Sequence, residues 1–491
     1  MSLLSLFVLV PLAFMLAAIL AGRRGAWLVF AAVPVMLVLS VRLVLAMGGE
    51  APGGALGGWP APLGIRLQAS GFSAALLVAA NLTAGLAGLH AFGEMRMTGH
   101  GAGVRASTFW PLYFGLWAAA GAILVSNDVF NLYVALELLT VAAVALAAYG
   151  SREAALRYFL IAMPASLAFL LGVVLLYARY GALDLDLIAG RAVADLPTLL
   201  AAALMSAGLL AKGAVFPLHA WLPPAHAAAP APASALLSGL VVKAAVFILV
   251  RLWFDALPGL AVPALLHAFG ALGAMAVIYG SVLALLQERL KRLVAYSTVA
   301  QLGYLLLVFP LAGGAQGAAP WAAGAWGAMA LHALSHMLSK AGMFLAAGLI
   351  VHCAGEDRIA RLDGIARAMP VTVLGFAVCA VSLMGLPPSG GFMAKYLFLV
   401  SALAAELWIY ALVIVAGGLL AAAYLFRPLT HFMDGHHVPE VSTCPSRLLP
   451  ALPLVLGLAA VGLGIASSAP YSFVQIGALA GGTSQASGDL P

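Results

Sequence analysis

The sequence predicts an all-α integral membrane protein with about fourteen transmembrane helices. Hydrophobic residues make up 64% of its 491 residues, charged residues make up 8%, and the mean hydropathy is +1.09. An ordinary soluble domain carries about 25% charged residues, so the composition excludes a soluble fold. The apolar residues fall into runs of about 20, the length at which a helix crosses the hydrocarbon core of a bilayer.

Each apolar run predicts one span. The predicted spans cover residues 3–20, 27–47, 72–93, 107–126, 128–149, 158–178, 196–216, 232–254, 263–286, 292–312, 321–350, 370–402, 405–427 and 449–469. The first run lacks a charged region before it and a small-residue cleavage site after it. We therefore interpret it as the first membrane helix rather than a cleaved signal peptide.

Basic residues are distributed unequally between the two sides of the membrane. The loops after odd-numbered spans contain Arg23, Arg24, Arg96, Arg105, Arg152, Arg157, Arg289, Lys291, Arg292, Arg358, Arg361, Arg367, Arg427 and Arg447. The other side contains Arg42, Arg66, Arg179, Arg191 and Arg251. The positive-inside rule then predicts a multi-pass protein of the cell inner (plasma) membrane, with both termini on the non-cytoplasmic side.

Residues 209–250 contain two apolar runs with one lysine each, Lys212 and Lys243, around a segment rich in proline. That segment includes Pro217, His219 and His226. Proline breaks the helical hydrogen-bond ladder, and broken backbone is tolerated in a bilayer only where protein or water covers it. A lysine in hydrocarbon costs about 2.5–3.5 kcal/mol on insertion scales and commonly marks an ion or proton path. The stretch therefore predicts a discontinuous helix that lines a charge-transfer route.

A second interrupted run, LMGLPPSGGFMAK, contains Pro387 and Pro388 and ends at Lys395. Interrupted helices in corresponding halves of a chain indicate an inverted-repeat transporter. The alternative is a simple proline–glycine kink with a lysine that extends towards the membrane surface.

The remaining candidate residues lie inside predicted spans. Glu137 is the one acidic residue deep in a span, and it is either a structural partner for a lysine or a functional carboxylate. His332, His336 and Lys340 are spaced by four and therefore share one helix face. They predict a proton-carrying or water-binding stripe, with a polar seam between helices as the alternative. A metal site is disfavoured because no cysteine or second acid accompanies the histidines.

Six runs in this order resemble the antiporter-like subunits of membrane complexes. They are NDVFNLYVALELLT, AALRYFLIAMPASLAFLLGVVLLYARYGALDL, FPLHAWLPPAHAAAPAPASALLSGLVVK, QERLKRLVAYSTVAQLGY, HALSHMLSKAGMFLAAG and SLMGLPPSGGFMAKYLF. That family includes the D-type membrane component of Mrp sodium/proton antiporters and the proton-pumping membrane subunits of respiratory complex I and group 4 hydrogenases. The resemblance extends from about residue 70 to residue 430.

The resemblance implies fourteen helices in which helices four to eight and nine to thirteen form two inverted five-helix repeats, with helices seven and twelve broken. The corresponding domains are 1–106, 107–254, 255–430 and 431–491. The family's relay residues then correspond to Glu137, Lys212, Lys243, His332, His336, Lys340 and Lys395. Pro224 stands where the family often has an aspartate after Trp-Leu-Pro, which argues against a role for an acid at that break.

These features predict a proton-translocating, antiporter-like subunit of a multi-subunit complex, with other membrane subunits, protons and the lipid bilayer as its partners. Sodium is a weaker candidate, because hard cations prefer oxygen ligands and the membrane region offers one clear carboxylate. No cofactor or nucleic-acid partner is expected, since no nucleotide motif or basic cluster is present. The chain would have no catalytic centre of its own, although it could belong to an NADH-quinone oxidoreductase-like or hydrogenase translocase. Two alternatives remain: the membrane half of a two-component inorganic-carbon uptake system, and a scaffold with a decayed relay.

Overall fold

The computed structural model describes residues 2–48, 51–97, 102–313, 319–434, 441 and 448–477, with the side chains of 96–97 and 102–106 excluded. The N-terminal region begins with two apolar helices joined by a 3₁₀ segment, Gly22–Leu28. A small antiparallel hairpin then interrupts the predicted loop 48–71, with strands β1 (Gly53–Ala55) and β2 (Arg66–Gln68). The helices of this region are α1 (Leu3–Ala21), α2 (Val29–Ala46) and α3 (Gly71–Met97).

The first half of the membrane bundle contains three long helices followed by a broken one. Its helices are α4 (Ala102–Val125), α5 (Val129–Ala148), α6 (Arg152–Tyr180), α7 (Leu185–Ala189), α8 (Leu196–Lys212), α9 (Leu222–Ala228), α10 (Ala231–Leu236) and α11 (Val242–Arg251). Two π-helical segments, Leu237–Val241 and Leu252–Ala256, make Ala231–Ala256 one continuous span. The predicted break therefore lies between α8 and the span that carries Lys243.

The second half contains the longest helix and a second broken one. Its helices are α12 (Pro263–Leu285), α13 (Leu290–Leu306), α14 (Val308–Ala312), α15 (Ala322–Ala354), α16 (Ile365–Ala368), α17 (Pro370–Met384), α18 (Gly390–Ala404), α19 (Trp408–Met433), α20 (Ala451–Ile465) and α21 (Ser468–Val474). The second predicted break lies between α17 and α18, where Gly385 has a φ of +82°.

The helices match the predicted spans closely. In the described residues, ten helical segments are long and apolar enough to cross a membrane, and the bent pair α20–α21 makes an eleventh. The first of these segments, Leu3–Ala46, contains both α1 and α2. With these two counted separately, and α8 and the α17–α18 pair added as interrupted spans, the predicted total of fourteen is reached. The fold class is confirmed, whereas the domain boundaries at 106, 254 and 430 stay predictions.

The two halves repeat one backbone feature on opposite sides of the membrane. Asp128 pairs with Asp184 in an isolated antiparallel bridge before α5, and Arg289 pairs with Arg358 in the same way before α13. Each bridge has two backbone hydrogen bonds at equivalent positions. In the first bridge, Val129 N donates to Leu183 O (2.8 Å) and Leu185 N to Asn127 O (2.9 Å). In the second, Leu290 N donates to Asp357 O (2.9 Å) and Ile359 N to Glu288 O (2.9 Å). The chain crosses the membrane five times between Asp128 and Arg289, in α5, α6, α8, Ala231–Ala256 and α12. Because this number is odd, the two bridges lie on opposite faces, as inverted repeats require.

Burial separates interior helices from those at the edge of the bundle. In the most apolar 18 residues of each span, every residue of Ala231–Ala256 and 94% of those of Leu290–Ala312 are buried, against 28% for Leu3–Ala46. α15 packs against α3, α10, α13, α17, α18 and α20. The interior of the bundle is therefore built by the helices that carry Lys243, His332, His336 and Lys340.

Candidate functional site

The first candidate pair lies where α8 ends against α5. Lys212 is the last residue of α8, and its Nζ donates to Oε1 of Glu137 at 2.8 Å and to Oγ1 of Thr140 at 2.7 Å. Lys212 is 4% exposed and Glu137 is 22% exposed, so the ion pair is buried on the lysine side and open on the carboxylate side. The exposed neighbours Val134 and Val141 place Glu137 on the outer face of α5. The predicted partnership of Glu137 with a lysine is present.

The break after α8 is partly covered by protein, with Pro217 and Leu218 exposed and Trp221 buried. Trp221 Nε1 donates to the carbonyl of Ala211 at 2.9 Å, which satisfies one backbone acceptor at the end of the helix. The Trp221 ring stacks on Tyr158 with their centroids 3.9 Å apart. Pro217 lies inside this break with His219, whose ring contacts Tyr279 at 5.3 Å between centroids.

Lys243 is held by the irregular turn that precedes it. Its Nζ donates to the carbonyl of Ser238, inside the π-helical segment Leu237–Val241. A π-helical turn changes which carbonyls are free, and such segments are frequent at functional sites. Lys243 is 3% exposed, and the ion pairs in the described part of the chain do not include it. Lys243 therefore lies in the protein interior with a carbonyl dipole as its partner.

A short chain of polar groups connects Lys243 with Lys340. Ser238 Oγ lies 3.1 Å from Thr298 Oγ1, which donates to the carbonyl of Val294 at 3.2 Å. The same carbonyl accepts from Lys340 Nζ at 2.9 Å, and Ser297 Oγ is a second partner of Lys340. Lys340 thus contacts α13 directly, whereas Lys243 reaches it only through Ser238, whose carbonyl accepts from Lys243 and whose hydroxyl contacts Thr298.

The histidines on α15 continue from this point towards Lys395. The rings of His332 and His336 are 5.8 Å apart, and His332 Nε2 lies 3.0 Å from the carbonyl of Gln301. His336 is close enough to interact electrostatically with Lys243, Lys340, His332 and Lys395. His336 therefore lies within range of four of the predicted residues, and Lys340 contacts α13 near its start, at Val294 and Ser297.

Lys395 is held at the second break. Its Nζ donates at 2.9 Å to each of two carbonyls at the end of α17, those of Leu383 and Met384. It also lies 5.0 Å from the ring centroid of Tyr304, which is 5.2 Å from His332. Pro387 and Pro388 lie between α17 and α18, where the prediction placed them. Lys395 Nζ thus donates to carbonyls at the end of α17 that have no backbone N–H donor because the helix ends there.

Three further titratable residues, His226, Lys291 and Glu94, lie in positions that differ from the predicted ones. His226 was predicted only as part of the break, yet it is fully buried and close enough to interact electrostatically with Lys340 and Lys243. Lys291 was counted as a loop residue but lies in α13 with 9% exposure. Glu94 was likewise assigned to a loop but lies in α3. Two sequence features could have indicated these positions: the spacing of His90 and Glu94 by four, and the place of Lys291 at the start of a helix.

Buried lysines and histidines beside two broken helices define a polytopic membrane protein of the antiporter-like class. A family model described as NADH:quinone oxidoreductase/Mrp antiporter, transmembrane, matches residues 126–421. The chain belongs to this family.

Relatives and solved structures agree with this assignment. The N-type component of NADH-quinone oxidoreductase from Desulforudis audaxviator is 35% identical over 431 residues, which cover 83% of each chain. The D-type component of the Na(+)/H(+) antiporter from Alkalihalophilus pseudofirmus is 28% identical over 415 residues, covering 82% of this chain and 80% of that protein. A chain of the Mrp complex from Dietzia sp. has the same fold, with a TM-score of 0.86, 24% identity and 97% coverage of both chains.

Proposed function

We propose that this chain is a proton-translocating subunit of a multi-subunit membrane complex, either a cation/proton antiporter of the Mrp type or a redox-driven proton pump. The contact that carries the proposal is that of Lys212 with Glu137, at 2.8 Å, at the end of a broken helix. Separating the pair leaves the buried ammonium of Lys212 without its counter-charge, which is unfavourable. Opening and closing this pair would therefore change the charge state of Lys212 and pass a proton onward.

The remaining residues provide the onward path. A proton leaves Lys212 for Lys243, moves to His336, and reaches Lys395 through His332. Histidine suits the middle of this path because its two ring nitrogens can accept a proton on one side and donate it on the other. Lys340 joins the path from the side, within electrostatic range of His336.

Any sodium transport would require the assembled complex rather than this chain alone. Glu137 is already paired with Lys212, and in the described residues no three His, Cys, Asp or Glu side chains form a metal-binding group. A dehydrated sodium ion needs several oxygen ligands. Partner subunits would supply part of any sodium path, and they would pack on the exposed apolar faces of helices such as α2 and α19.

The orientation and location follow from the charge distribution. Cytoplasmic loops carry an excess of arginine and lysine in membrane proteins. The face at which α13 begins, with Arg289, Arg292 and Arg358, is therefore cytoplasmic, and both termini lie on the non-cytoplasmic side of the inner membrane. Among the residues that the structure describes, no contact in the site specifically favours the alternative of inorganic-carbon uptake.

The test is the Glu137→Gln variant in the assembled complex, with cation-driven proton movement measured in membrane vesicles. The amide keeps the size of the side chain but removes the charge that balances Lys212, so we expect transport to fall by at least about tenfold. Glu153→Gln is the matched control, because Glu153 is 73% exposed and pairs with Arg157 on the helix surface. Wild-type rates in Glu137→Gln at equal subunit abundance would contradict the proposal.

A further inference from the structure

We propose that Glu94, His90, Asp357, Lys291 and His226 form a proton access path from the membrane face at which α13 begins to the buried Lys340. This access path rests on the proposed function, since it supplies protons to the relay described above. It consists of residues that the predicted relay does not include.

Lys291 is the central member of the access path. It is 9% exposed, and its Nζ donates at 2.6 Å to the carbonyl of Ala229, next to the break that follows α9. Glu94 and Asp357 are close enough to interact with it electrostatically, yet no carboxylate in the described residues lies within ion-pair distance. The amine therefore lies between the surface acids and the break without being fixed in an ion pair.

His226 lies on the inner side of Lys291. It is fully buried, its ring stacks on Phe344 with centroids 5.1 Å apart, and neither ring nitrogen has a hydrogen-bond partner among the described residues. Lys291 and Lys340 are both within electrostatic range of the ring. Buried polar groups are nearly always hydrogen-bonded in proteins, so an imidazole with two unpaired nitrogens suits a group that exchanges partners as a proton passes.

The outer end of the access path has two carboxylates. Glu94 is 24% exposed, and its Oε2 lies 3.7 Å from Nδ1 of His90, which is 1% exposed. Asp357 lies in the loop after α15, and its Oδ1 accepts from the backbone N–H of Lys291 at 3.2 Å. Burial raises the pKa of the Asp357 carboxyl, against the opposing effect of Lys291, which brings proton binding closer to neutral pH.

The proton transfers balance at each step. A surface carboxylate takes a proton from water and becomes a neutral acid, then gives that proton to the neutral amine of Lys291 and regains its charge. The ammonium of Lys291 next protonates the imidazole of His226 and returns to the amine. The imidazolium then protonates the neutral amine of Lys340 and becomes neutral again.

A purely structural role for Lys291 makes a different prediction from proton transfer. If Lys291 only holds the Ala229 carbonyl in place, Lys291→Arg should preserve transport, because a guanidinium keeps both the charge and the donor. If Lys291 carries protons, arginine should fail, because its side chain does not release a proton in proteins. The two roles therefore separate in a single conservative variant.

The experiment measures proton translocation by the assembled complex in vesicles, at matched subunit abundance, for Lys291→Arg, Lys291→Met and His226→Gln. We expect each variant to reduce the rate by at least about tenfold, since a serial path fails at any missing member. Arg292→Met and His352→Gln are the controls, because both residues are exposed on the same membrane face. We expect these controls to stay within about twofold of the wild-type rate.

The outcomes also separate the access path from the proposed function. Full activity in Lys291→Arg together with loss in Lys291→Met would overturn the access path in favour of a structural role. Full activity in all three variants, with Glu137→Gln inactive, would overturn the access path and leave the proposed function intact. Full activity in Glu137→Gln as well would contradict the proposed function itself.

Discussion

The buried lysines differ in what holds their charge. Lys212 has a carboxylate and a hydroxyl, whereas Lys243 and Lys395 have backbone carbonyls as acceptors. A carbonyl dipole stabilises an ammonium less than a full negative charge does, and removing the proton then leaves no unpaired carboxylate behind. Lys212 is thus suited to hold a proton until its pair opens, and the other two lysines are suited to pass it on.

Thr140→Val tests the contribution of the hydroxyl to the Lys212 site. Valine has nearly the same shape as threonine, so the variant removes one acceptor from Lys212 Nζ and leaves Glu137 in place. A hydrogen bond to a charged group is worth about 1.5–3 kcal/mol, so we expect a measurable reduction in the initial rate of proton translocation in vesicles, smaller than that of Glu137→Gln. An unchanged rate, or one as low as that of Glu137→Gln, would contradict the predicted contribution of the Thr140 hydroxyl to the Lys212 site.

At the scale of elements, the sequence predicted the breaks better than the path between them. Prolines located both interruptions, and the rarity of charge inside the spans located Glu137 and the four lysines. The helix boundaries hid Glu94, because hydrophobicity ended the third span before it while the helix continues to Met97. The π-helical turn beside Lys243 was not predictable, since its hydrogen bonding depends on packing rather than on local residue type.

Lys395→Ala should block transport as severely as Lys212→Ala, although the two residues belong to different halves. Each lysine lies beside a break, and a serial relay fails at any missing link. The measurement is proton translocation in vesicles at equal abundance, with the apparent melting temperature of the complex as the control for folding. Retention of most activity in folded Lys395→Ala would remove the second half from the path.

A polar cluster of Arg66, Asn127 and Asp184 connects the N-terminal hairpin with the loops before α5 and α7. Asp184 is 3% exposed and accepts from Arg66 through both oxygens, at 2.9 and 3.0 Å, and from Asn127 at 3.1 Å. Asp186 also contacts Arg66 but is 52% exposed. The buried carboxylate therefore carries most of the stabilisation, since exposed ion pairs contribute about 0–1 kcal/mol.

Asp184→Ala should lower the stability of the chain on the order of 2 kcal/mol, because it leaves Arg66 and Asn127 without their shared acceptor. Asp186→Ala should change stability little. Thermal unfolding of the purified protein in detergent measures the difference as a shift in the apparent melting temperature. Equal shifts in the two variants would show that the buried position of Asp184 does not matter.

At the scale of the whole molecule, hydrophobicity and charge distribution were sufficient for the fold class. Both depend on burial in a bilayer, which acts on every span in the same way. Details that depend on tertiary contacts were not accessible in this way. Two examples are the buried position of Lys291 and the hydrogen bond of Lys340 with the Val294 carbonyl on α13.

We expect that the chain alone, purified and reconstituted in liposomes, will not exchange sodium for protons. Its interior offers proton carriers in series, while a dehydrated sodium ion needs several oxygen ligands. The assay is uptake of sodium-22 under an imposed proton gradient. Robust uptake that disappears in Glu137→Gln would show that a complete antiporter resides in this one chain.

The central claim is that protons pass through Lys243, which is 3% exposed and lies between the two broken helices. The most direct measurement is proton translocation in membrane vesicles by the assembled complex with Lys243→Met, which keeps the length of the side chain and removes its charge. We expect a loss at least as large as that of Glu137→Gln, with assembly and melting temperature unchanged. Translocation near the wild-type rate in an assembled Lys243→Met complex would contradict it.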